Sequence, residues 1–529
     1  MKHFYGQTLC GNRAQKALRT CFNIAESSFA AICARHSVEF WFPLIREQTE
    51  KSYIQNEETY ATLSLLKYAG VDKKDSIPID VAGSNTEIGL LVEPRDFLDV
   101  NRLTYLATLM GAIGNAYRRV GKGSELLPSE NFPICDRASI AVESAMGCYD
   151  NRRPYPEFFR DQGMLHNINI KNQGIYFMGL AKGKGRRFIV PEWSASWPCH
   201  RLLAPFEADS WIQILESYRE AIEDLYEIQL DSLFHFLSGL ALNIMNSVPC
   251  FEGGRTGDIR LLPGNDKSEE QWKRDVQFLL SFTRKGYFRF PLDMWLNMMS
   301  WIRSPWAESE VVSRELTEEF FQNFCLNEDR RAKIEVSAMF PMPFCFRTSS
   351  NWIYVDVQHT EDFLVHLLHS GKDWFATQHG DRFTLALKRL IQTKRPEVDI
   401  LGWKQKIPTG AKGSIECDLL LATKTALWVI ECKAFGKSPE YYRGDHEAVR
   451  WRLSKLHNAF EQAQKQSVAI RQAITNGNYS LPKRDRVETV VCTPVQEFIY
   501  PVDAFGFITG NIPRICTPEE LLEALTLVL

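Results

Sequence analysis

The chain has 529 residues, 45% of them hydrophobic and 24% charged, with a formal net charge of −3. That length exceeds one ordinary hydrophobic core, so two or three domains are expected, and the composition is ordinary for a soluble globular protein. The 13 cysteines are scattered, which excludes a disulfide framework and suits free thiols in a reducing cytosol.

The N-terminus, "MKHFYGQTLCGNRAQKALRT", lacks the long apolar stretch of a signal peptide, and a cytoplasmic protein is expected. Residues 101–120 read as a helix, and residues 172–193 as two strands joined by a Gly/Lys loop. From 210 to 248 the pattern is mostly helical. Its oiliest part, 231–248, is interrupted by Asp231, His235, Asn243 and Asn246, so it reads as a core helix and no membrane span. Residues 250–268 read as a Gly-rich loop, 269–284 and 309–326 as helices, 335–358 as strands, and 361–375 as a short helix with a connector. A domain boundary is expected near Gly371. Residues 371–529 carry 22 Lys+Arg against 18 Asp+Glu, whereas the remainder carries 40 against 47. The C-terminal part is thus mildly basic, which is compatible with a polyanion partner.

Beyond that boundary, Phe383, Leu387, Leu390 and Ile391 have helical spacing, with Asp381 as the expected N-cap. Residues 397–407 read as a strand, followed by strands 414–421 and 426–434. Leu453, Leu456, Phe460, Ala463, Ser467, Ile470 and Ile474 form one stripe of a long amphipathic helix. Residues 487–495 and 512–516 read as strands. A last helix opens with Thr517 at N-cap, Pro518 at N1 and Glu520 at N3, a capping box.

The stretch "GSIECDLLLATKTALWVIECKAF" (413–435) is oily yet carries Glu416, Asp418, Glu431 and Lys433. With the turn centred between Lys424 and Thr425, Asp418 faces Glu431 and Glu416 faces Lys433. Centring it between Thr423 and Lys424 sets Glu416 against Glu431 instead. In both registers the four share one face, with Cys417 and Cys432 on the other, because strand side chains alternate; a bulge would shift the register. Like charges directly opposed, with Cβ atoms roughly 4.5–5.5 Å apart, destabilise a hairpin. The arrangement becomes sensible with a divalent cation between them, since Mg2+ takes one or two carboxylates together with water and phosphate oxygens. Lys433 is placed to position or help deprotonate a water, or to hold phosphate. Such a set suits metal-assisted hydrolysis of a phosphodiester.

The order Asp418, twelve residues, then Glu431-Cys432-Lys433 resembles the PD-(D/E)XK nuclease superfamily. The wording "IECDLLL…LWVIECK", the Gln-bearing helix and "ICTPEELL" are most similar to its NERD-like and restriction-type branches, over about residues 375–529. The resemblance implies a restriction-endonuclease-like α-β-β-β-α-β core and cleavage of nucleic acid, usually DNA. It implies Asp418 and Glu431 as metal ligands, Lys433 as the catalytic lysine and Gln462 as a supporting residue. The sequence departs from the pattern in two places. The first helix offers Asp381 and Thr384 where relatives carry Glu, which leaves Glu416 as the alternative third ligand, and Cys417 stands where the superfamily has proline.

The basic set Arg382, Lys388, Arg389, Lys394, Arg395, Lys404, Lys406 and Lys412 is read for the most part as a solvated face, with tracking of a phosphate backbone as the alternative. Lys412, Tyr442, Arg443 and Arg450 are the candidate nucleic-acid contacts, with Tyr441 beside them. Residues 181–187 ("AKGKGRR") read as a hairpin turn. Residues 252–258 ("EGGRTGD") lack the Gly-Lys-Ser/Thr of a P-loop. His379, His446 and His457 lack metal-type spacing.

The expected fold is a helix-rich α+β region, 1–370, divided at about 205 into two subdomains, followed by an α/β domain, 371–529. The expected function is that of a Mg2+-dependent DNA endonuclease, with Mn2+ able to substitute. The N-terminal region is read as recognising a target, a partner or a trigger, in restriction-like or anti-phage defence. Double-stranded DNA is the expected partner, beside a protein partner or a second copy of the chain, and no membrane. The alternative is a catalytically silent nuclease fold used for nucleic-acid binding or assembly.

Overall fold

The structure, a computed structural model, describes residues 2–48, 55–70, 94–131, 134–152, 218–233, 314–339, 343–348, 352–356, 380–408, 414–435, 438–476, 481–510 and 512–527, with shorter stretches between 176 and 367. Helix α1 (Gly11–Cys33) buries Ala14, Leu18, Phe22, Ala25 and Phe29, three or four residues apart, so one face is apolar. That face lies along α2 (Pro94–Gly121), which contains the helix expected at 101–120. Helices Val38–Gln48 and Gln55–Tyr68 complete the cluster and contribute the fully buried Trp41, Phe42 and Tyr60. Helix α3 (Ile140–Asn151) follows, capped by the Ser139 hydroxyl.

The middle of the chain supplies short strands. Tyr176–Gly179 pairs with Arg186–Ile189, the two strands expected there. Residues 250–268, read as a loop, contain a small hairpin instead, Phe251–Gly253 with Ile259–Leu261. Phe251 opposes Leu261, an apolar pair that outweighs the glycines around it. Helix Arg219–Tyr226 lies within the stretch read as helical, and most of the expected 231–248 helix falls outside the described residues, as does the helix expected at 269–284. Helix Arg314–Phe324 leads into a four-stranded sheet of Phe288–Pro291, Trp352–Val355, Cys345–Arg347 and Cys325–Leu326, in that spatial order.

The C-terminal part is a mixed sheet flanked by helices. Helix α4 (Gly380–Lys394) precedes β1 (Asp399–Pro408), β2 (Ser414–Ala422) and β3 (Ala426–Cys432). The short α5 (Pro439–Arg443) and the long α6 (His446–Thr475) lead to β4 (Arg486–Cys492), then β5 (Ile515–Cys516) and α7 (Pro518–Leu527). The sheet order is β1-β2-β3-β4-β5, with the first three antiparallel and the last two parallel to β3. Parallel neighbours require a crossover, and α6 provides it between β3 and β4. The expected strand 512–516 is split: Ile512–Pro513 pairs with Phe507–Thr509, and only Ile515–Cys516 joins the main sheet. The capping box of α7 is formed, with Glu520 Oε2 accepting from Thr517 N at 2.8 Å and Thr517 Oγ1 from Glu520 N at 3.3 Å. Asp381, expected as an N-cap, lies inside the first turn of α4 because the helix starts one residue earlier.

One face of the sheet, through Leu419, Leu421, Trp428 and Ile430, packs on Phe383, Leu387 and Ile391 of α4 and Leu521 and Leu525 of α7. The same cluster continues into Tyr218, Phe320, Phe344 and Phe363, so the middle of the chain shares a core with the C-terminal sheet. The other face, through Leu420, Leu427 and Val429, packs on Ile470 and Ala473 of α6.

Candidate active site

The β2–β3 ladder pairs Leu419 with Ile430, Leu420 with Val429, Leu421 with Trp428 and Ala422 with Leu427. This is the register in which Asp418 is opposite Glu431. The ladder stops one step short of that pair. There the Cys432 N–H donates to Asp418 Oδ2 at 2.9 Å, so a side chain replaces the strand bond where two carboxylates meet. The other flank of β3 stays attached, with its pairing to β4 running through Cys432–Cys492 and Lys433 N donating to Cys492 O at 3.0 Å.

Glu431 is 1% exposed. Its Oε1 lies 2.5 Å from Lys433 Nζ, and its Oε2 accepts from Gln466 Nε2 at 2.5 Å. Gln466 Nε2 also donates to the Glu416 carbonyl at 2.9 Å, which ties α6 to both strands of the hairpin. Lys433 Nζ donates to Gln462 Oε1 at 3.3 Å, one helical turn earlier. Burial pushes the Asp418 carboxyl above its ordinary value, against the Cys432 N–H and Lys433. Burial and then the charge of Asp418 push Glu431 up, against Lys433 and Gln466. Both carboxyls therefore sit in surroundings that favour a proton or a cation.

Asp418, Glu431, Lys433 and Gln462 are thus brought together. Glu416 is arranged differently from the expectation: its strand partner is Lys406 on β1, and Lys433 turns instead to Glu431 and Gln462. No group of three or more His, Cys, Asp or Glu that could hold a metal ion forms among the described residues. The two cysteines expected on one face divide between clusters. Cys432 packs with Leu419 and Ile430, whereas Cys417 packs with Leu420 and Val429. The cause is an interruption of the β1–β2 ladder at Lys404 and Asp418, where Lys404 has φ 49°. Asp381, the acid on the first helix, reaches this neighbourhood through an ion pair with Lys404, while Thr384 is buried.

The expected nucleic-acid contacts lie apart. Arg443 is engaged within the chain, by Glu335 and by Asp445 at 2.8 Å. Tyr441 is turned inward, its hydroxyl donating to Glu497 Oε2 at 3.2 Å. Tyr442 is half-buried at the end of α5. Arg450 is exposed on α6, roughly 24 Å along the axis from Gln466 at 1.5 Å per residue. Lys412 and His379 lie outside the described residues.

Sequence reasoning missed Gln466. The signal was present: it falls between Ala463 and Ile470 on the buried stripe, and a glutamine there needs a buried partner. It also missed how the start of α6 is held. The N-cap position, Asp445, makes no side-chain cap bond. Gln15 of α1 does so instead, accepting from His446 N at 2.8 Å and donating to Gly444 O at 2.7 Å. Burial works against the Asp445 carboxylate, but hydrogen bonds from Arg443 and Tyr117 bring it below its ordinary value. The contact is close enough to require glycine: a Cβ at Gly121 would lie 1.8 Å from Gly444 O. Further along, Arg452 of α6 pairs with Glu497 at 2.5 Å and donates to Phe435 O at 3.0 Å, just past Lys433.

Residues 379–494 match the family model of the nuclease-related domain, NERD, which is part of the PD-(D/E)XK-like nuclease superfamily; the match bears out the resemblance seen in the sequence. The region before residue 379 is not covered by it. No curated protein and no solved structure matches the chain. Among the described residues, no helix is long and apolar enough to cross a membrane.

Proposed function

We propose that the nuclease-related domain of this chain is a metal-dependent phosphodiesterase acting on nucleic acid, with double-stranded DNA as substrate and endonucleolytic cleavage as the reaction. The observation that carries this reading is the meeting of Asp418 and Glu431 beyond the last paired step of the hairpin, with Lys433 beside them. The succession α4-β1-β2-β3-α5-α6-β4, a mixed sheet flanked by helices, is compatible with an α/β nuclease-like domain and supports this reading.

Asp418 and Glu431 are the residues that would hold Mg2+, or Mn2+ in its place, because burial raises both carboxyls and the charge of Asp418 raises Glu431 further, a conflict that a shared cation relieves. When bound, the ion supplies Lewis acidity and a nucleophile at neutral pH. The chain's own groups do the rest. The Cys432 N–H fixes the orientation of the Asp418 carboxylate. Gln466 fixes that of Glu431. Lys433 Nζ, released from Glu431, offers a cation to the phosphate oxygens where charge develops, and Gln462 holds it within reach. Glu416, exposed near the start of β2, is the further acid whose charge bears on Asp418.

The N-terminal helices, joined to α6 through Gln15 and Tyr117, are proposed to recognise the target, partner or trigger. Restriction-like or anti-phage defence is the biological setting we infer, by analogy of fold. A second reading, nucleic-acid binding without cleavage, draws on the Lys433–Glu431 ion pair, which neutralises one acid without a metal.

The experiment is incubation of the full chain with supercoiled plasmid, linear duplex, single-stranded DNA and RNA in Mg2+ or Mn2+. Nicking by wild type that vanishes in Asp418→Asn and Lys433→Met supports the proposal. Binding without cleavage under all conditions selects the second reading, and cleavage that survives both substitutions moves the chemistry elsewhere.

A further inference from the structure

Lys404 occupies a left-handed backbone conformation, φ 49°, within β1, an edge strand of the C-terminal sheet. A residue with a Cβ is disfavoured there, and a lysine has none of the local hydrogen bonding that lets asparagine adopt it. The bend is built by its neighbours. The register slips between Ile400 and Gly402, and a Cβ at Gly402 would fall 1.7 Å from Gln405 Oε1, so this glycine makes room for the Gln405 side chain. The ladder then pairs Trp403 with Leu419 and Gln405 with Cys417, leaving Lys404 and Asp418 opposed but unpaired.

The side chain that results is 34% exposed, and its ammonium bonds Asp381 at the start of α4. The charges that face it are Asp381, Glu416 and Asp418, the last a proposed metal ligand. An exposed Lys–Asp pair contributes little by itself and could be made from regular strand backbone. The bend moves Cys417 to the other face of the sheet, and it also sets this ammonium before the acids of the hairpin; strain of this kind gathers at functional sites. The rim around it is cationic: Lys406 is exposed on the same strand, and Lys388 Nζ sits 5.5 Å over the ring of Trp403, itself 40% exposed.

We propose that Lys404 is a substrate-positioning residue, whose ammonium leaves Asp381 to hold a non-bridging phosphate oxygen of the strand being cut, so that β1 is the rim along which the nucleic-acid backbone lies. The proposal rests on the nuclease reading and deepens it. Three variants of the full chain test it: Lys404→Gly and Lys404→Asn keep the left-handed backbone without the charge, and Lys404→Arg keeps the charge.

Duplex binding is measured without metal across a salt series, and cleavage with Mg2+. The expected result for Lys404→Gly and Lys404→Asn is a slope of log K against log salt shallower by about 0.9, the value for one phosphate contact. Their KM is expected to rise severalfold, with a near-unchanged kcat and a thermal midpoint at or above that of wild type. Lys404→Arg should retain most of the binding. Unchanged slope and KM in the glycine variant, in a wild type that binds and cleaves, would overturn the role of Lys404 and leave the nuclease reading standing. A fall in thermal midpoint in both uncharged variants would assign the residue to the fold and overturn it too. A wild type that neither binds nor cleaves overturns both.

Discussion

Two buried charged centres lie along α6 and are built on opposite principles. Near its start, Arg452 and Glu497, 3% and 0% exposed, face each other with opposite charge. Their remaining capacity is met by the Phe435 carbonyl and the Tyr441 hydroxyl. Arg152, after α3, is likewise matched to Glu520 and to the carbonyls of Glu497 and Ile515. At the middle of the helix, two carboxylates face each other, and Lys433 forms its ion pair with Glu431. Charges are thus closed at the two arginine centres, which hold elements together, and left in conflict at Asp418 and Glu431. Burial alone does not explain the conflict, because Arg452 and Arg152 are buried too and each is paired with an acid. The proposed metal would sit at this conflict.

The comparison breaks if the matched centre proves dispensable. Glu497→Ala leaves a buried guanidinium unpaired and should destabilise the chain by about 3–5 kcal/mol in urea unfolding. A loss below 1 kcal/mol, on the order of a surface pair, would mean the two centres do not differ in kind. At the other centre, Lys433→Met should lower kcat by about 10²–10³ with little change in unfolding midpoint, as removal of one charge-stabilising donor does. Gln466→Ala sharpens the contrast, since it removes only the orientation of Glu431. Mg2+ affinity, read by calorimetry, should weaken by about 10–100-fold.

The smallest effect carries a sign. Burial raises both carboxyls in the folded state, so the folded chain keeps protons that the unfolded chain releases. Stability from this source is whole below the ordinary carboxyl range near pH 4 and is lost as pH rises through the raised values. In EDTA, Asp418→Asn should therefore gain on wild type as pH rises, by about 1 kcal/mol at neutrality, and Mg2+ should close the gap by stabilising wild type alone. Equal stabilities at pH 8 without metal would show that the two acids do not repel.

Much of this centre was legible in the residues. Alternation and turn length narrowed the hairpin to two registers, and the ladder adopts the one that sets Asp418 opposite Glu431; this much is legible because a hairpin is a local structure. Thr517 and Glu520 announced their capping box for the same reason. What escaped depended on third elements. Glu416 pairs with Lys406 because β1 lies beside β2, which the hairpin alone does not say. The exchange of faces at Cys417 follows from the bend at Lys404, which no side-chain pattern announces, since lysine is an ordinary strand-edge residue. Arg443 and Tyr441 looked like surface contacts because their partners, Glu335 and Glu497, are distant in sequence.

The cap that Gln15 places on α6 also sets an order in time. The two residues it bridges to, Gly444 and His446, lie 429 and 431 positions downstream. At roughly 5–20 residues per second, ribosomal synthesis needs on the order of a minute to cover that interval. Throughout it, the Gln15 amide has the Tyr117 carbonyl of its own cluster as a partner, while the helix it caps does not yet exist. The cap on α6 is therefore completed only after nearly the whole chain has been made.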